Sequence, residues 1–149
     1  MIWINGLKDV SSQYLIRSVI VRSSLGGKTM QSGSHQAFME AVNSALGAFR
    51  HTQPATMQGF GALAKAATTA GALSQKHKEL IALAIGVSQH CSPCIAFHVR
   101  ALIQLSCARE ELEEMLAVTI YTGGGPSVMY AADTLITWDT LSQSLALDD

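Results

Sequence analysis

Charge is scarce in this chain. Asp, Glu, Lys and Arg make up 14% of its 149 residues, where soluble domains carry about 25%. Ten Lys and Arg stand against eleven Asp and Glu, for a formal net charge of −1. No basic excess is left to form the positive patch that a nucleic-acid surface requires. The three cysteines are too few, and wrongly spaced, for the disulfide framework of a small secreted domain. The first apolar run (Leu15, Ile16, Val19, Ile20, Val21) is interrupted by Arg17 and is too short to span a membrane. Lys8 and Asp9 precede a broken apolar region without a clean cleavage site, which does not fit a signal peptide. The glycine triplet Gly123–Gly125 has neither the lysine nor the spacing of a phosphate loop and reads as a turn. These absences together lead to the expectation of a cytoplasmic protein with no nucleic-acid or membrane partner.

What remains is apolar and helical. Residues 1–34 differ from the rest and are set apart as an N-terminal extension, read as a short strand or helix or as a stretch upstream of a true start near Met30, with Ser23–Ser34 as a flexible linker. Residues 35–149 read as a single all-α domain, a bundle of about six helices. Phe38, Val42, Ala45, Leu46 and Phe49 mark one amphipathic face. Pro54 opens a second helix carrying Met57, Phe60, Leu63, Ala64 and Ala67 and ending near Gly71. Ser74 caps a third, and a fourth ends near Ser106. A fifth runs from about Ala108 to Thr122, and a sixth carries Val128, Ala132, Leu135, Trp138, Leu141 and Leu145. No strand is expected after residue 30.

The densest chemistry lies between Glu79 and His98, in ELIALAIGVSQHCSPCIAFH. Two apolar helical runs flank a polar interruption at Ser88–Pro93. Serine favours the N-cap and proline the first turn of a helix, so Ser92 is expected as N-cap and Pro93 as the first helical residue. Cys91, Cys94 and His98 are then spaced i, i+3, i+7 on one face. Along a straight helix Glu79 would stand roughly 18 Å from Cys91. A hairpin turning near His90 instead brings Glu79 and His98 to heights within roughly 4–5 Å of one another, in the order carboxylate, imidazole, thiol.

That order has chemical sense. A thiol reacts as its thiolate, which a helix N-terminus and an imidazole both favour. A carboxylate fixes an imidazole's tautomer and position. A second cysteine converts an oxidised first one into a reversible disulfide. Cys94, closer to His98 and inside the first turn, is expected to attack, with Cys91 resolving. A metal site built from Cys91, Cys94 and His98, with His90 or Glu79, is the competing reading, although structural zinc takes four ligands and no distant second cysteine pair is present. His35, His51, His77 and His90 read as surface or cap residues, Cys107 as a small core residue, and Tyr121 and Trp138 as packing.

Glu79, the gap to Cys91-x-x-Cys94 and the spacing to His98 resemble the active-site signature of alkylhydroperoxidase D-like proteins, within the carboxymuconolactone decarboxylase family. The resemblance covers about residues 35–145. It implies a thiol peroxidase in antioxidant defence, without a metal or cofactor, in which Glu79, Cys91, Cys94 and His98 act as proton relay and redox pair. It also implies recharging by a small dithiol or a lipoyl-bearing partner. The family's founding decarboxylases lack the cysteine pair, so decarboxylation or lactone processing, with His98 as base, is the lesser expectation. Pro93 stands where some relatives carry a histidine. Ile95, Phe97 and Leu80 are expected to make an apolar surround suited to organic hydroperoxides. Low charge and helices apolar on several faces predict a homo-oligomer. A hexamer built as a trimer of dimers is favoured, as the resemblance implies.

Overall fold

Proline, serine and glycine set the helix boundaries. Pro54 is the first residue of α2, where its missing N–H costs no hydrogen bond. Ser74 caps α3, its Oγ accepting the His77 N–H at 3.2 Å. Gly124, at φ 69°, alone separates α5 from α6, a backbone turn that strongly favours glycine. The computed structural model describes residues 30–145, with side chains from residue 37 onward. Among these residues the chain is all α-helix: α1 Met30–Thr52, α2 Pro54–Thr68, α3 Gln75–Ser88, α4 Ser92–Gln104, α5 Arg109–Gly123 and α6 Gly125–Leu145.

The core forms where α3, α4, α5 and α6 meet. Leu83 and Val87 of α3 face Ile95, Val99 and Leu102 of α4, joined by Leu112 and Leu116 of α5 and by Ala131 and Trp138 of α6. The spacings of three and four residues are those of a helical stripe. Burial of each large aliphatic side chain contributes about 1.5–3 kcal/mol, so this cluster holds the α3–α4 hairpin rigid. Lys76 of α3 bridges to Glu111 of α5 at 2.7 Å, and Arg109 pairs with Glu113 and with Asp139 of α6. None of the described helices is long and apolar enough to cross a membrane.

Several expectations are revised. The first helix begins at Met30, inside the stretch read as linker; extending an existing helix by a few residues is far cheaper than nucleating one. The expectations for residues 1–29 lie outside the described residues. Tyr121 is 88% exposed, not packed as expected, whereas Trp138 is buried as expected. The second helix forms, yet buries no residue: Phe60 and Leu63 are about two-thirds exposed, at 66% and 65%.

Candidate active site

The turn between α3 and α4 positions the cysteines. At the end of α3 the Cys91 N–H donates to the Gly86 carbonyl at 3.0 Å and the His90 N–H to the Val87 carbonyl at 3.1 Å. This pair of bonds closes a helix through one left-handed residue, here His90 at φ 58°. Glycine is usual at such a position and histidine tolerates it better than most residues. The same device ends α4, with Ser106 at φ 53°.

Cys91 is thus the second residue beyond the α3 cap and, at the same time, the N-cap of α4. Its Sγ accepts the Cys94 N–H at 3.3 Å. The N-cap lies one residue before the Ser92 expected from sequence. Proline fits either of the first two helical positions, so the shift costs Pro93 nothing. Ser92, released from capping, donates its Oγ–H to the Asp133 carboxylate of α6 at 3.0 Å. On the other side of Cys91 the His90 ring stacks on Tyr130, also of α6, with centroids 4.6 Å apart and planes 16° from parallel. Tyr130 and Asp133 are one turn apart and grip the residues immediately before and after Cys91. No sequence pattern signals this clamp, because its two halves are some forty residues apart.

Cys91 and Cys94 are joined as a disulfide, with Cα atoms 5.3 Å apart. Cys94 rests over Gly86 of α3, where an added Cβ would touch its own at 3.4 Å. One turn further along α4, His98 Nδ1 lies 2.7 Å from Glu79 Oε2. Glu79 is buried, at 6% exposure, while the His98 side chain is 30% exposed. A carboxylate accepts, so this pairing puts the proton on Nδ1 and leaves Nε2 as the basic nitrogen. The four sequence-selected residues are therefore brought together two and two: Glu79 with His98, and Cys91 with Cys94, with His98 one turn beyond Cys94.

The remaining expectations divide. Cys107 is buried, and burial first, then the Glu111 carboxylate, push its thiol up to about 11. It remains protonated and inert at neutral pH, as a core residue should. His77 serves the Ser74 cap. Of the residues expected to form an apolar surround, Ile95 is wholly buried in the core, Phe97 lines a cleft formed with α1 and α6, and Leu80 is partly buried against the core. Among the described residues no group of three or more His, Cys, Asp or Glu is placed to hold a metal ion.

An all-helical domain whose hairpin carries a disulfide-bonded Cys-x-x-Cys beside a Glu–His pair defines the class. Residues 54–136 match the carboxymuconolactone decarboxylase family, and the chain belongs to that family. It is 44% identical to a carboxymuconolactone decarboxylase family protein of Legionella pneumophila, whose crystal structure in the apo form superposes with a TM-score of 0.71. That match covers 73% of this chain and 97% of the other. The chain is also 42% identical over 101 residues to an uncharacterized protein of Cupriavidus necator, over 68% of this chain and 89% of that protein. The matched family segment contains all four site residues.

Proposed function

We propose that this protein is a thiol-dependent peroxidase that reduces hydroperoxides through Cys91 and Cys94. The observation that carries the reading is the 2.7 Å pairing of buried Glu79 with His98, one turn from a cysteine pair already at bonding distance. A structural disulfide has no need of an oriented base beside it.

In the reduced protein, His98 Nε2 takes the proton from the Cys94 thiol. The thiolate attacks the terminal peroxide oxygen, the O–O bond breaks, and the departing alkoxide is protonated to an alcohol. Cys94 is then a sulfenic acid. Cys91 attacks its sulfur, forms the S–S bond and expels the oxygen as water. Two electrons have passed from the cysteine pair to the peroxide. The Cys94 N–H on Cys91 Sγ favours the Cys91 thiolate, which suits it to resolve the sulfenate and to leave when an external dithiol reopens the disulfide. The influence of the helix terminus thus falls on Cys91, and that of the imidazole on Cys94. The returning electrons come from a small dithiol or lipoyl-type donor.

The working unit is a homo-oligomer, with a hexamer favoured. Phe60 and Leu63 of α2, together with Val118, Tyr121, Met129 and Ile136, are between 57% and 88% exposed on a single chain, more than a soluble monomer ordinarily displays. Steady-state reduction of cumene hydroperoxide with dihydrolipoamide as donor tests the function. Turnover by the wild type, and its loss in both Cys91→Ser and Cys94→Ser, is expected. Equal rates in all three proteins would contradict it.

A further inference from the structure

On the side of α4 away from the cysteines, a cleft of about 200 Å³ opens between α1, α4 and α6. Cys94 and His98 share one side of α4, whereas Ala96 and Arg100, two residues on from each, are turned by about 200° and line this cleft. Its walls are Met39, Phe97 and Leu141, and its polar groups include Asn43, Arg100 and Thr137.

Thr137 is the unusual member. Its residue is 2% exposed and its hydroxyl is buried with no hydrogen-bond partner. The neighbouring threonines of α6 bond back to their own helix, Thr134 to the Tyr130 carbonyl and Thr140 to the Ile136 carbonyl, each at 2.8 Å. Thr137 makes no such bond, and an unpaired buried hydroxyl costs stability. Buried polar groups left this way call for an explanation. Arg100 lines the same cleft and forms no ion pair with the described residues.

We propose that this cleft binds a small amphipathic monocarboxylate, its carboxylate held by Arg100 and Thr137 and its hydrocarbon tail lying against Met39, Phe97 and Leu141. The guanidinium fork matches a carboxylate in shape and charge, and the threonine hydroxyl, buried and unpartnered in the ligand-free chain, donates to one of its oxygens once the side chain turns toward the cleft that the residue lines. A single negative charge fits better than a phosphate, because Arg100 is the only cationic side chain among the described residues lining the cleft and Glu40 lines it too. The volume is below the ~300–1,000 Å³ of drug-sized pockets, which selects a short tail. The site is independent of the thiol chemistry.

Titration calorimetry of the full chain with octanoate, and with octanol as the uncharged control, tests the proposal. Octanoate should bind saturably at one site per chain, and octanol at least about tenfold more weakly. Arg100→Gln, an exposed position that does not threaten the fold, and Thr137→Val should each weaken octanoate about tenfold or more. Thr137→Val removes the orphaned hydroxyl and should raise the Tm of the ligand-free protein by about 2–4 °C. Absence of saturable octanoate binding, equal affinity for octanol, an unchanged affinity in either variant, or a fall in Tm for Thr137→Val would each overturn it.

Discussion

Glu79 on α3 and His98 on α4, nineteen residues apart in sequence, meet at 2.7 Å across the hairpin. The carboxylate is buried and the imidazole partly open to solvent, so the pair presents a fixed base at the protein surface. In the proposed mechanism each partner has a separable effect. His98→Ala removes the base and should slow peroxide reduction by ~10²–10⁴-fold. Glu79→Gln retains a hydrogen-bonding side chain and should cost less. Stopped-flow oxidation of the reduced variants at neutral pH measures both; wild-type rates in the two would remove the relay from the mechanism.

The division of labour between the cysteines is testable by trapping. With Cys94 as attacker, Cys91→Ser should accumulate a sulfenic acid at position 94 that reacts with dimedone, and Cys94→Ser should accumulate none. Adduct formation at Cys91 alone would reverse the roles, and the Cys94 N–H on Cys91 Sγ would then mark the attacking sulfur.

Cys107 should stay silent. Its thiol is held at about 11, so at pH 7–8 almost none is thiolate and its burial blocks access. Iodoacetamide should alkylate two thiols per chain in the reduced native protein and three after denaturation. Labelling of Cys107 in the native state below pH 9 would show that its surroundings open.

Much of this arrangement was legible in the chain itself. The helical spacing and the polar break at Ser88–Pro93 placed the hairpin, and the heights of Glu79 and His98 along it follow from the rise of a helix. Ser74 read correctly as a cap because a serine ahead of an apolar helical run has few other roles. The cap of α4 was misplaced by one residue because Cys91 is not a usual capping residue, and its position is set from the other side, by the way α3 ends through His90. The clamp of Tyr130 and Asp133 on His90 and Ser92 left no local trace, since it is a contact between distant segments. Tyr121 misled for a related reason: an aromatic residue favours burial but does not name the surface that would cover it, and here it stands 88% exposed.

The exposed apolar side chains of α2, α5 and α6 should be covered by other copies, and the small residues from Ala62 to Ala72 would allow helices to approach closely. Light scattering coupled to size exclusion should give a mass near six times the 15.9 kDa chain. A single-chain mass that persists on concentration, with full activity, would show that these faces need no cover.

One hydroperoxide molecule should consume two thiols, those of Cys91 and Cys94, and no others. Reduced protein, freed of reductant and mixed with one equivalent of cumene hydroperoxide, should fall from three titratable thiols per denatured chain to one. Mass spectrometry should show the peptide spanning Cys91 and Cys94 lighter by two protons, with Cys107 unchanged. Three thiols remaining, or sulfinic acids at the separate cysteines in place of the disulfide, would contradict the account.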